Sequence, residues 1–166
     1  FFGPVGQANY KKIYSLNMLA EQGDWTFRLG YTSGNDTEVT SSSQAEKGKD
    51  KFSGVGLQYD NGDLLVMSEY VTRRWTSKVN AALDGVFDSD GYYVSAGYRF
   101  GSFMPYVTYS RYEPKGLAFT LQPGYPNDGE TQAIGLRWDA MKNVAVKAQV
   151  EEVKGTQGTQ LLGVAG

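Results

Sequence analysis

Apolar and polar side chains alternate along most of the chain with a period of two residues. In the segment 91–100, Tyr92, Val94, Ala96 and Tyr98 fall on one face of an extended strand, and the residues between them fall on the other. Alternation of this kind predicts β-strands with one apolar and one polar face. Eight such segments are predicted, at residues 8–19, 24–33, 51–60, 63–74, 91–100, 102–112, 130–139 and 143–153.

Short and long connections alternate between these strands. The long ones are rich in Ser, Thr, Asp, Lys and Gly, and we expect them to be solvated loops. Strict alternation puts all short turns at one end of the sheet and all long loops at the other, which predicts an up-and-down antiparallel β-barrel. A soluble meander or sandwich is the alternative that this pattern leaves open. The short connections are 20–24, 60–63, 101–102 and 139–143, and the long ones are 33–50, 74–90 and 113–129.

Aromatic residues distinguish these alternatives. Each predicted strand has roughly the 9–11 residues that a tilted strand needs to cross a bilayer. On the apolar faces, aromatic residues lie near the strand ends with aliphatic residues between them, as expected of rings that prefer the headgroup level. We therefore predict an all-β transmembrane barrel whose apolar face meets lipid and whose polar face lines a lumen. The predicted girdle residues are Trp25, Tyr98, Phe100, Phe103 and Trp138 at the short-turn end and Tyr31, Tyr70, Tyr92 and Tyr109 at the long-loop end.

The charged residues on the polar faces are the predicted pore lining. An Arg or Lys that faced lipid at the bilayer midplane would cost about 2–4 kcal/mol, so we expect these side chains to face the lumen. Five of them are basic and two are acidic, which predicts a mild preference for anions. Pairing across the wall, with no role in selectivity, is the alternative. The predicted pore-lining residues are Arg28, Glu69, Arg73, Arg99, Arg137, Lys147 and Glu151.

Composition argues against several other functions. The 166 residues contain no Cys, so a thiolate metal site is not expected, and the net charge of −2 argues against a nucleic-acid partner. His is absent as well, and hydrolases usually need it as a general base, so neither a catalytic site nor a cofactor is expected. Asp84 and the run 88–91 match part of a calcium loop but lack its distal Glu, and a solvated turn is the favoured interpretation.

Two stretches resemble a known family. YRFGSFMPYVTYSR (98–111) and GLRWDAMKNVAVKAQVE (135–151) are similar to late strands of the porin superfamily of Gram-negative bacteria. The resemblance covers almost the whole chain and implies a barrel of about 16 strands. It also implies a homotrimer in the outer membrane that passes small hydrophilic solutes or ions by diffusion. A structural or receptor barrel with a blocked lumen, whose loops bind a partner protein or a phage, is the alternative function.

The strand count predicts that the barrel continues beyond this chain. Eight strands at about 20 residues each are half of a 16-strand barrel, and a half-barrel would leave unpaired backbone groups in lipid. We therefore expect residues 1–166 to be one domain that is incomplete at both ends. In the third long loop, Leu117, Phe119 and Leu121 are expected to fold into the pore or to pack on a neighbouring subunit.

Overall fold

The fold is a single antiparallel sheet, given by a computed structural model that describes residues 7–9, 11–40, 45–116 and 128–155. A short 3-10 helix, Ala81–Leu83, lies between the fifth and sixth strands. Among the described residues, no helix combines the length and the apolar character that crossing a membrane requires. The strands are β1 (Gln7–Asn9), β2 (Ile13–Gln22), β3 (Trp25–Thr40), β4 (Ala45–Asp60), β5 (Leu64–Ser77), β6 (Ser89–Tyr98), β7 (Phe103–Pro114), β8 (Gly129–Met141) and β9 (Val144–Gly155).

The order of the strands in the sheet follows their order in the chain. From β3 to β9 each strand pairs with the next one, and β1 and β2 both pair with β3. The predicted all-β, up-and-down antiparallel architecture is therefore confirmed. Within the described ranges, β9 pairs only with β8 and β2 pairs only with β3, so the sheet is not closed. Whether the chain is part of a longer barrel stays a prediction.

The strands extend further at the loop end than the sequence predicts. Most of the predicted loop 33–50 belongs to β3 and β4, which continue as a paired hairpin up to Thr40 and from Ala45. The prediction was wrong because the hairpin is rich in polar residues along both strands, so the apolar half of the alternation disappears while backbone pairing continues. Near the N-terminus, the predicted strand 8–19 is interrupted between β1 and β2, where Lys12 has a φ of 51°.

Tight turns connect the strands at the short-turn end, as predicted. Each of these four turns contains one residue in the left-handed region, which is the conformation that tight turns demand and that Gly and Asn adopt most readily. These residues are Gly23, Gly62, Gly101 and Asn143, with φ values of 58°, 95°, 60° and 67°.

The register sorts the side chains onto two faces, because residues directly opposite each other on neighbouring strands point to the same side. One row of partners runs through Trp25, Tyr59, Val66, Ala96 and Val107, and it defines what we call the apolar face. The opposite side is the polar face. Large apolar side chains on the apolar face are widely exposed, whereas among the described residues only Trp75 and Ala133 are buried hydrophobic residues. The sheet thus has almost no core of its own, and its apolar face requires an apolar environment.

Candidate pore-lining site

The register brings six of the seven predicted pore-lining residues to the polar face. Arg28 and Glu69 lie on either side of Gly56 in one row of partners. Arg137 and Lys147 are direct partners on β8 and β9. Arg73 and Glu151 share the face through the alternation of β5 and β9. The seventh, Arg99, follows β6 in the turn before β7.

Three of the five basic residues are paired with carboxylates that the sequence pattern did not reveal. Arg73 binds Asp50, Arg99 binds Asp60, and Arg137 binds Asp139. With these carboxylates included, the set holds five basic and five acidic side chains. Two of these acids could have been noticed in the sequence, since Asp60 and Asp139 each stand at the start of a predicted short turn, where they are close to the ends of neighbouring strands.

The Arg73–Asp50 pair is the most buried of the three. Asp50 is 0% exposed, and its carboxylate accepts hydrogen bonds from Nη2 of Arg73 at 2.7 Å and from Nε at 3.1 Å. The guanidinium carbon of Arg73 lies 5.5 Å from the ring centre of Phe52 and 5.7 Å from that of Phe87. Because Phe87 belongs to the β5–β6 connection, that loop is folded against the polar face.

Two backbone contacts with Trp75 fix this loop. The Trp75 N–H donates to Oδ1 of Asp88 at 2.7 Å, and the Gly85 N–H donates to the Trp75 carbonyl at 2.8 Å. The Trp75 side chain is 2% exposed and makes an edge-to-face contact with Phe87 at 5.3 Å. A loop therefore covers part of the polar face near the loop end. The hydrophobic residues for which we expected such a role, Leu117, Phe119 and Leu121, lie outside the described residues.

The acidic run 84–90 is a structural connector rather than a solvated turn. Oδ1 of Asp84 accepts from the Ser77 N–H at 2.7 Å, and Ser89 and Asp90 are buried, so the sequence-based interpretation is wrong for these two residues. Asp90 lies on the long-loop side of the girdle residue Tyr92, outside the part of β6 between the two girdles. Its carboxylate contacts Lys115 and lies 2.6 Å from Nη1 of Arg74.

Neighbouring groups stabilise the charged form of Asp90. Burial alone would raise the pKa of Asp90, but Arg74, Lys115 and Tyr70 together outweigh it and lower the pKa to about 2. The backbone N–H groups of Lys115 and Gly116 also donate to the Asp88 carbonyl, at 2.8 and 3.1 Å. The β5–β6 and β7–β8 connections are thus tied to each other beside a carboxylate that is charged at neutral pH.

The Arg99–Asp60 pair joins two neighbouring turns at the opposite end of the sheet. Nη1 and Nη2 of Arg99 donate to the two carboxylate oxygens of Asp60 at 2.6 and 2.9 Å, and Nη1 also donates to the Gly62 carbonyl at 2.9 Å. The hydrogen bond from Arg99 is the main reason why the pKa of Asp60 lies below its usual value. Bidentate geometry of this kind fixes position as well as charge, so Arg99 organises the rim of the short-turn end.

Every glycine within the described strands occupies a polar-face position, and bulky side chains lie over several of them. The ring of Tyr106 rests against Gly135, and its hydroxyl donates to Oε1 of Gln149 at 2.9 Å. Trp75 rests against Gly48 in the same way. Aromatic rings that lie flat over glycine follow the wall instead of projecting from it. These glycines are Gly30, Gly34, Gly48, Gly54, Gly56, Gly91, Gly97, Gly129, Gly135 and Gly155.

We expect Gly135→Ala to destabilise the sheet by about 1–3 kcal/mol, the usual cost of overpacking. A Cβ atom at this position would clash with the Tyr106 ring and separate its hydroxyl from Gln149. Gly129→Ala on the same strand and face is the matched control, because nothing lies within 4 Å of its Cβ position. Denaturant unfolding of the two variants in the same detergent or bilayer measures the difference. Equal stability of both variants would contradict the role assigned to the Tyr106–Gly135 contact.

The predicted girdle residues lie on the apolar face, and several are in ring contact across strands. Phe103 stacks on Trp138 at 5.9 Å, and Tyr92 lies 6.0 Å from Tyr109. Tyr98 and Phe100 are 4.8 Å apart. The contact of these rings with lipid stays a prediction. The ring of Tyr59 lies 4.8 Å from that of Trp25, so Tyr59 also belongs to the girdle at the short-turn end. The sequence analysis did not include it.

A sheet with an aliphatic and aromatic face on one side and charges and glycines on the other has the make-up of a membrane β-barrel wall. The chain belongs to the family of Gram-negative porins, whose model matches residues 3–159. No match was found among curated proteins or among solved structures. Membership confirms the resemblance seen in the sequence, assigns the chain to the outer-membrane porins in general, and indicates a channel rather than an enzyme.

Proposed function

We propose that the chain forms part of the wall of a water-filled channel through which small hydrophilic solutes and ions diffuse passively. The single observation that carries this proposal is the sorting of charge by the register. Arg28, Glu69, Arg137 and Lys147 all lie on the polar face, while the middle of the apolar face carries Leu29, Val66 and their neighbours. Charged side chains on strands that cross a membrane need water, and aliphatic ones need lipid, so each face has one suitable environment.

In this proposal the chain crosses the outer membrane several times, with the girdle rings at the two headgroup levels. We include a homotrimer in the proposal. Its support is the exposure of apolar side chains near the β9 edge, where Ile134 is 64% and Val150 is 74% exposed. Such side chains suit either lipid or a neighbouring subunit.

The ion selectivity of the channel is proposed to depend on position more than on the count of charges. Arg73, Arg99 and Arg137 each have a carboxylate partner, and Arg99 lies in a turn at the rim. Arg28 lies in β3 between the girdle residues Trp25 and Tyr31. Among the described residues its side chain makes one polar contact, with the Gln58 amide oxygen at 3.4 Å. The mild anion preference predicted from the sequence therefore rests mainly on Arg28 and Lys147, and Glu69 and Glu151 oppose it.

Recordings from the full chain in planar bilayers test this proposal. We expect stable open-channel currents, and we expect Arg28→Glu to shift the reversal potential in a salt gradient toward cation preference. Arg111→Glu is the matched control, because Arg111 lies on the apolar face near the loop end, where salt screens its effect on the lumen. Equal shifts in both variants would contradict the assignment of Arg28 to the lumen.

A second candidate is a structural or receptor barrel with a blocked lumen. The observation in its favour is the β5–β6 loop, whose Phe87 covers Arg73 on the polar face. Absence of any conductance from correctly inserted protein would favour this candidate over the channel.

A further inference from the structure

The polar face contains an open depression that spans strands β2 to β5. Its volume is about 310 Å³. Its floor is formed by Gly30, Gly54 and Gly56, and Arg28 and Glu69 stand at its sides. A Cβ atom on Gly56 would lie 3.5 Å from Cβ of Arg28 and 3.9 Å from Cγ of Glu69, so both side chains border the space that this glycine leaves free.

Arg28 and Glu69 carry opposite charges but form no ion pair with each other in the structure. Both are direct partners of Gly56, from β3 and from β5, so their Cα atoms are separated by two strand spacings, or about 10 Å. Among the residues whose side chains the structure describes, neither makes an ion pair with any other side chain. The Gln58 contact of Arg28 is long, at 3.4 Å, and leaves most of its guanidinium N–H groups available.

A guanidinium and a carboxylate that face each other across a floor of backbone suit a ligand that carries both charges itself. A ligand carboxylate can accept two parallel hydrogen bonds from Arg28, and a ligand ammonium can donate to Glu69. Asn17 adds a neutral amide beside the floor, since its Oδ1 lies 3.3 Å from the Cβ position of Gly30. A ligand with one charge can satisfy only one of the two groups.

We propose that this depression is a binding site for small zwitterions of the α-amino-acid class. The inference rests on the proposed function, because the ligand reaches the site from the lumen. The site gives the channel a solute preference that does not depend on net charge. Weak, reversible binding is what a diffusion channel requires of such a site, since the solute must also leave.

The test uses single-channel recordings from the full chain with glycine added at neutral pH. We expect concentration-dependent interruptions of the current, at concentrations about tenfold below those needed for acetate or methylammonium, which carry one charge each. Acetamide, which is uncharged and of similar size, is expected to cause none. Arg28→Gln and Glu69→Gln are each expected to weaken the effect of glycine about tenfold.

Three variants separate this site from general electrostatics. Lys147→Gln and Glu151→Gln remove the same charges from the same face and are expected to leave the effect of glycine unchanged. Gly56→Val fills the floor without removing a charge and is expected to abolish the effect. The inference is overturned if an open channel shows no interruptions with glycine, or if acetate or acetamide interrupts the current as strongly as glycine does. It is also overturned if Lys147→Gln and Glu151→Gln weaken the effect of glycine as much as Arg28→Gln and Glu69→Gln do. Complete absence of conductance would instead reject the proposed channel function itself.

Discussion

Arg73→Met is expected to destabilise the sheet by about 3–5 kcal/mol, because it leaves the carboxylate of Asp50 buried without its charged partner. Asp50 is 0% exposed and accepts both hydrogen bonds that the Arg73 fork offers. The same substitution removes the cation that lies over the rings of Phe52 and Phe87. Urea unfolding of the protein in lipid vesicles, followed by tryptophan fluorescence, measures the loss.

Arg137→Met is the matched control for this prediction. Its partner Asp139 has a side chain that is 49% exposed, and pairs of this kind contribute about 0–1 kcal/mol. The double variant Asp50→Asn with Arg73→Met removes the buried charge and is expected to recover most of the stability that Arg73→Met loses. If the Arg73→Met and Arg137→Met variants were equally stable, burial of the Asp50 carboxylate would not be the reason why the Arg73–Asp50 pair stabilises the sheet.

The strands were predictable wherever one face is apolar, and they were missed where neither face is. Strand β7 was placed within two residues at each end, because Phe103, Val107 and Tyr109 alternate with smaller or polar side chains. The hairpin that extends β3 and β4 contains Ser, Thr, Asp, Glu and Lys, which are also the residues of solvated loops. Backbone pairing maintains this hairpin, and pairing leaves no periodic signal in a polar sequence.

The polar-face charges were predictable one by one, but which acid pairs with which base was not. Asp50 is 23 residues from Arg73, and Asp60 is 39 residues from Arg99. Alternation shows which face a residue occupies, whereas the choice of partner depends on the register between strands and on diagonal reach. The count of charges predicted from the sequence was therefore unbalanced, and the structure supplies the missing acids.

Asp90 shows the same limit for a single residue. The run 88–91 has the composition of an exposed turn. Only the fold places Arg74 from β5 and Lys115 from the next connection beside this carboxylate and removes it from solvent. A buried ion pair of this kind has no local sequence signature, because each partner comes from a different strand or loop.

Val66→Arg is expected to destabilise the protein in a bilayer by about 2–4 kcal/mol, whereas Met67→Arg is expected to change its stability little. The two residues are neighbours in β5, midway between Leu64, whose partner is the girdle residue Tyr98, and the girdle residue Tyr70. Val66 lies on the apolar face and Met67 on the polar face. An arginine on the lipid side loses its hydration near the midplane, but an arginine on the lumen side keeps it.

This pair of substitutions tests the assignment of the faces directly, because depth, strand and added side chain are the same in both variants. Unfolding in vesicles of defined lipid gives the two changes in stability, and the yield of folded protein in the outer membrane gives an independent comparison. Because the side-chain period is two residues, a register shifted by one residue would reverse the order of the two variants. Greater loss from Met67→Arg than from Val66→Arg would place the polar face against lipid, and a channel lined by Arg28 and Glu69 could not then exist. Equal losses would indicate that both faces of β5 are packed against protein, as in a soluble sandwich.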